Sequence, residues 1–211
     1  MSLLTAGVAL CAICLLLVLI AEHRGASLGV KIAKPLASTG FLLAALGAGA
    51  MDSAYGQAIF AALVLSWFGD VFLMFRGSKP CFKAGIAAFL LGHVGFIVAF
   101  IVGGVAPLWS AGAILPVIAV ALLVLRWLRP HVSDDMKGAV LAYVGVISVM
   151  VIAAAGTPAA GQPIARFIGA CAFFCSDLAV ARERFVASSY LNRLWGLPLY
   201  YAAQLTLALT I

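Results

Sequence analysis

Charge is what this sequence has least of. Only 9% of its 211 residues are charged, while 65% are apolar. Soluble domains carry about 25% charged residues, so a soluble globular chain is excluded and a membrane protein is implied. A membrane-spanning helix needs about 20 apolar residues, because about 1.5 Å of rise per residue must cross about 30 Å of hydrocarbon. With short connections the length accommodates about eight such spans and leaves no room for a separate soluble domain. The expected fold is therefore all-α, a polytopic membrane bundle of eight transmembrane helices forming one integral-membrane domain over residues 1–211.

Acidic side chains are scarcer still: seven Asp and Glu stand against thirteen Lys and Arg, giving a net charge of +6. In a soluble chain such an excess would suggest a nucleic-acid partner. Here its placement explains it without one. Spans are expected near 2–21, 34–51, 54–75, 82–103, 106–127, 137–155, 163–181 and 189–210. The loops after odd-numbered spans, with their flanks, hold Arg24, Lys31, Lys34, Arg76, Lys79, Lys83, Arg126, Arg129, Lys137, Arg182, Arg184 and Arg193, leaving Arg166 alone on the other side. By the positive-inside rule those loops are cytoplasmic and both termini lie on the non-cytoplasmic side. Basic residues there also attract anionic lipid headgroups, by about 1 kcal/mol each. A bacterial inner (plasma) membrane is the expected location.

Other absences narrow the chemistry. Five cysteines give no disulfide framework, because Cys11, Cys14, Cys171 and Cys175 lie in apolar spans and Cys81 at a boundary. Cys11 and Cys14 have redox-motif spacing without the soluble context such a motif needs, and read as small packing residues. No basic segment or small-residue cleavage site marks the first span as a signal peptide, so it is expected to remain as an anchor. Zinc requires three or four ligands in one place, yet His23 and His131 fall in loops and only His93 in a span. No metal is expected. Ser66 and Ser176 are the serines a Ser-His-Asp arrangement would draw on, but nothing resembles a nucleophile elbow.

Gly, Pro and charge punctuate the short connections, as in Gly77-Ser78-Lys79-Pro80 and Gly156-Thr157-Pro158. Small residues recur within the spans, as in LGAGA over 46–50, and let helices approach closely in lipid.

Against this background two stretches stand out, WFGDVFLMFR (67–76) and FFCSDLAVAR (173–182). Glu22, Asp52, Asp134, Asp135 and Glu183 lie at span ends or in loops. Asp70 and Asp177 lie inside spans, where a carboxylate costs roughly 2.5–3.5 kcal/mol on insertion scales. Each is expected one or two turns from the cytoplasmic boundary, so the two can meet across the bundle. Their spacing, near half the chain, would also suit a parallel duplication. A structural reading pairs them with Arg76 or Arg182. A functional reading uses them together, since two carboxyls in a dry pocket supply an acid and a base from one residue type.

Further polar groups approach the same half. Lys34-Pro35 is expected to open the second helix, with Lys34 reaching water or phosphate and Pro35 at a first helical position. His93 sits near the middle of the fourth span. Arg193, Gly196, Tyr200 and Gln204 fall near one face of the eighth, suited to hydrogen bonding between helices or to lining a pocket.

In this order, Lys34-Pro35-Leu36, Gly69-Asp70-Val71-Phe72-Leu73, Phe82 to Gly85, Phe89 to His93, Ser176-Asp177 leading to Phe185, and Tyr200-Tyr201-Ala202-Ala203-Gln204-Leu205 resemble the YhhN family, which includes the TMEM86 lysoplasmalogenases. Phe96 stands where the family pattern leads one to expect a tyrosine. The resemblance implies hydrolysis of the vinyl ether bond of a lysoplasmalogen, giving a fatty aldehyde and a glycerophospho-ethanolamine or -choline, a reaction that needs neither metal nor organic cofactor. Asp70 and Asp177 would share the acid and charge-stabilising roles, in an order the sequence leaves open. Lys34, His93, Tyr200, Gln204, Ser176 and Arg193 would hold water and the phosphate-bearing head of a lysophospholipid substrate, with membrane lipids as the remaining partners.

Two other classes use the same acids differently. A proton-coupled transporter or lipid scramblase would run them as a relay and leave the lipid covalently unchanged; a structural helper would use them only for packing. The sequence leaves headgroup preference and oligomeric state unassigned.

Overall fold

The computed structural model describes residues 1–75 and 77–211, and every regular element among them is helical. The α-helices are α1 (Leu3–His23), α2 (Ser27–Gly47), α3 (Ala54–Leu73), α4 (Lys79–Gly103), α5 (Pro107–Leu128), α6 (Asp134–Ala155), α7 (Ala165–Ala181) and α8 (Tyr190–Ala208). A π-helical turn over Arg182–Val186 joins α7 to α8. Serines cap several starts: Ser53 Oγ accepts from Gly56 N at 3.0 Å and Ser78 Oγ from Cys81 N at 3.3 Å, each satisfying an orphan backbone donor.

Six helices, α1 to α6, are long and apolar enough to cross a membrane. The chain is an integral multi-pass membrane protein. α7 and α8 do not meet that measure. α7 has 17 residues, a rise of roughly 25 Å against about 30 Å of hydrocarbon, and α8 carries Asn192, Arg193 and Gln204.

Six helices form a closed ring. α2 meets α3, α3 runs along α4, α4 meets α6, α6 meets α7, α7 runs along α8, and α8 returns to α2. α1 lies outside against α2 and α8, and α5 lies outside against α6. Leu128 is the one buried residue of α5, whose apolar side chains such as Leu115 and Leu123 point outward, as lipid contact requires.

The α1–α2 seam depends on glycine. A Cβ at Gly40 would stand 2.5 Å from the Cys11 backbone nitrogen, so the two backbones touch directly, as small residues allow in lipid.

One expectation needs correction. Pro35 does not open α2; it lies inside the helix, which begins at Ser27. An internal proline removes a donor, but membrane helices tolerate this where side chains and neighbouring helices serve the local backbone. Here the Pro35 carbonyl accepts from Thr39 Oγ1 at 2.8 Å and from Trp67 Nε1 at 3.3 Å. The Lys34 carbonyl accepts from Ser38 Oγ at 3.1 Å and Tyr201 OH at 3.3 Å. These contacts tie α2 to α3 and α8.

Candidate active site

Asp70 stands one turn before the end of α3, and Asp177 one turn before the end of α7. Both carboxyls line one cavity of about 540 Å³, to whose walls all eight helices contribute. Its walls are mostly apolar, with Phe82, Ile86, Val124, Val144, Ile147 and Phe174 among them.

The Asp70 carboxylate is encircled. Lys34 Nζ lies 3.0 Å from Oδ1, while Ser38 Oγ and Tyr200 OH each donate to Oδ2 at 2.7 Å. The Lys34 and Asp70 side chains are 14% and 3% exposed, so this is a pair withdrawn from water. Helix spacing explains the cradle, since Lys34 and Ser38 are one turn apart on α2 and share a face. Gly69 contributes by omission: a Cβ there would stand 2.5 Å from Phe89 ring atoms. The ring of Phe89 therefore packs against Gly69 and forms part of the cavity wall.

Asp177 has a different neighbourhood. Tyr143 OH donates to its Oδ2 at 2.7 Å, and His93 Nε2 lies 3.5 Å from the same oxygen. No Lys or Arg nitrogen among the described residues is within 4.0 Å of it. His93 is fully buried beneath the Phe173 ring, with centroids 4.6 Å apart, and edge-on to Tyr143 at 5.2 Å. Phe173 in turn packs against Tyr200 at 5.5 Å. An aromatic column thus links the partners of one aspartate to those of the other.

Beyond the aspartates, the cavity is polar toward the π-helical turn, where Glu22, Glu183, Arg184, Asn192 and Arg193 line it. Arg193 pairs with Glu22 at 3.4 Å and also with Glu183. Glu183 accepts further from Ser188 Oγ at 2.6 Å, the Ser189 N–H at 2.8 Å and Asn192 Nδ2 at 2.9 Å. Burial opposes the ionisation of Glu183, but these donors and the Arg193 charge outweigh it and hold its carboxyl at about 2, below the ordinary 4.5.

The YhhN family profile matches residues 30–211. The chain belongs to the YhhN family. It is also 32% identical over 158 residues to a Bos taurus protein described as lysoplasmalogenase TMEM86A. That alignment covers 72% of this chain and 64% of the relative, so the chain spans a little under two thirds of the relative's length. No solved structure matches the chain.

In this family member Lys34, Asp70, Asp177, Tyr200 and Arg193 come together on the cavity. His93 lies behind it, within reach of Asp177. Ser176 is buried and donates to the Phe173 carbonyl at 2.7 Å, and Ser66 donates to the Ala62 carbonyl at 3.0 Å; both hydroxyls serve their own helix. Gln204 is fully buried outside the cavity lining, and no hydrogen bond reaches its amide among the described residues. Arg182, considered above as a partner for Asp177, donates instead to Asn192 Oδ1. Arg76 lies outside the described residues. Phe96 is fully buried and stacked on Phe100; the tyrosine ring beside His93 belongs to Tyr143.

Tyr143, Ser38 and Glu22 were not singled out for this site. Ser38 was within reach of helical spacing from Lys34. Tyr143 carried no signal, being one aromatic in an apolar run whose rotation about the ring only the packing defines.

Proposed function

We propose that the protein is a lysoplasmalogenase-like hydrolase that cleaves the vinyl ether bond of a single-chain ether phospholipid. One observation carries the reading: two aspartates line the same apolar-walled cavity with unlike partners. The relative described as a lysoplasmalogenase supports the substrate class.

Vinyl ether hydrolysis begins with proton transfer to the β-carbon of the alkenyl chain, which makes the neighbouring carbon an oxocarbenium ion. Water adds to that carbon, and the hemiacetal breaks to an aldehyde and the freed glycerol hydroxyl. We assign the proton to Asp177, which has a hydroxyl and an imidazole nearby but, among the described residues, no Lys or Arg within ion-pair distance. Asp70, paired with Lys34 and accepting two hydroxyls, is the carboxylate that faces the positive charge and receives a proton from the attacking water. Asp70 then passes that proton through water to Asp177, so both carboxyls return to their starting states and the cycle closes. Paired carboxyls divide their labour similarly on glycosides, whose transition state is also oxocarbenium-like. The headgroup rests toward Arg193 and the π-helical turn, and the chain lies along Val144, Ile147 and Phe174.

The same reading places all eight helices across the bilayer, with the termini outside and the basic loops in the cytoplasm of a bacterial cell. The lipid then enters from the inner leaflet.

The deciding experiment incubates purified protein with lysoplasmalogen and measures long-chain aldehyde. Release that is lost in both Asp70→Asn and Asp177→Asn, with thermal unfolding retained, is the expected result. Proton-dependent lipid flux in vesicles without aldehyde would replace the hydrolase by a carrier.

A further inference from the structure

A long-chain aldehyde formed in this cavity would meet a primary amine. The chain has five lysines, and Lys31, Lys79, Lys83 and Lys137 are exposed. Lys34 differs from them in every relevant respect. Its side chain is 14% exposed, it lines the cavity, and its Nζ stands 3.0 Å from a buried carboxylate. The cavity it shares is otherwise walled mostly by apolar side chains, which an alkyl chain could occupy.

We propose that Lys34 is an aldehyde-capture site, forming a reversible protonated Schiff base with a long-chain aliphatic aldehyde and Asp70 as its counter-ion. The inference rests on the function proposed above for the source of the aldehyde, but not for its chemistry. Lysine amines add to carbonyls once a nearby group takes their proton, and Asp70 Oδ1 is placed to take it. The nitrogen bonds to the aldehyde carbon, giving a carbinolamine. Asp70 returns the proton to the carbinolamine oxygen, which leaves as water, and the nitrogen keeps its own proton in the iminium. Overall, an ammonium and an aldehyde become an iminium and water, with charge unchanged.

That conservation of charge makes the site suitable. The Lys34–Asp70 ion pair becomes an iminium–Asp70 pair, so no uncompensated charge is left in the dry interior, where one would be costly. Intramembrane carboxylates serve as counter-ions to bound cationic ligands in this way. Ser38 and Tyr200 hydrogen-bond Asp70 through Oδ2, which leaves Oδ1 to the nitrogen throughout. Reversal requires one water, the same molecule that hydrolysis consumes, so a cavity short of water retains its product and pauses.

The test supplies the aldehyde directly. Purified protein in detergent is incubated with a saturated long-chain aldehyde, reduced with borohydride, digested, and mapped by mass spectrometry. An alkyl adduct at Lys34 is expected, lost when excess long-chain alcohol, which fills the same apolar space but forms no Schiff base, is added first. In Lys34→Arg, which keeps a cation beside Asp70 but forms no Schiff base, the site's adduct disappears and that on exposed lysines persists. Asp70→Asn, lacking the counter-ion, also loses the adduct. Labelling confined to Lys31, Lys79, Lys83 and Lys137 overturns the proposal, as does labelling at Lys34 that the long-chain alcohol leaves undiminished. Failure to hydrolyse lysoplasmalogen counts only against the function proposed above, because no hydrolysis is needed here.

Discussion

Lys34 Nζ lies 3.0 Å from Asp70 Oδ1, a contact between α2 and α3 inside the bundle. Breaking a buried pair by removing one partner costs about 3–5 kcal/mol, because the other charge is stranded. Lys34→Met is therefore expected to unfold at markedly lower temperature than the wild type. Asp70→Asn in the same chain removes the stranded charge and is expected to restore much of the loss. A double-mutant cycle on thermal unfolding in detergent measures the coupling, and additive effects would show that the two groups do not depend on one another.

The unlike surroundings of the aspartates predict unlike consequences of mutation at their partners. Replacing a general acid removes about 10²–10⁴-fold in rate, which is the expected loss for Asp177→Asn in aldehyde release. Tyr143→Phe takes one donor from Asp177. Its expected effect is nearer about 1–2 kcal/mol, a rate loss of roughly five- to thirtyfold, seen in kcat rather than KM. Equal losses in the two variants would mean that Tyr143 does more than hold the carboxyl.

Glu183 gives a pH dependence with a definite sign. Its carboxyl is held at about 2 in the folded chain against an ordinary 4.5. A depressed value means that ionised Glu183 stabilises the fold fully above about pH 4.5 and loses that contribution as pH falls toward 2. Glu183→Gln is expected to melt below the wild type by a constant margin from pH 5 to 7. The margin should shrink steadily in more acidic buffer, as unfolding scans at stepped pH would record. A margin independent of pH throughout would remove ionisation of Glu183 as its source.

Gly40→Ala tests the outer seam. The added methyl would meet the Cys11 backbone, and overpacking of this kind costs about 1–3 kcal/mol. The expected outcome is a lower unfolding temperature with the cavity chemistry retained, because neither Gly40 nor α1's contact at Cys11 lines the cavity. An unchanged melting temperature would show that α1 simply moves aside.

Much of this arrangement was legible beforehand. The expected spans fall on all eight helices, six of which are long and apolar enough to cross a membrane, because hydrocarbon imposes length and composition together. The cost of an intramembrane carboxylate singled out Asp70 and Asp177, and helical spacing put Arg193 and Tyr200 on one face. The start of α2 was misread because the preference of proline for the first turn of a helix assumes water as the competitor for backbone groups. In a bundle, Thr39 and Trp67 serve the Pro35 carbonyl. Lys34 was consequently read as reaching water or a lipid phosphate rather than as a partner for Asp70. Gln204 shares a helical face with Tyr200 yet lies outside the cavity wall, since periodicity gives direction around an axis but not depth along it. Tyr143 and Glu22 come from helices with no sequence link to the aspartates, and only tertiary packing could bring them in.

α5 closes one side of the cavity through Val124 and Leu128 while burying little of itself. That partition is held in place from without by whatever hydrocarbon presses on its outer face. The surrounding bilayer is thus a building material of the chamber, and its thickness and fluidity become variables of the chemistry inside.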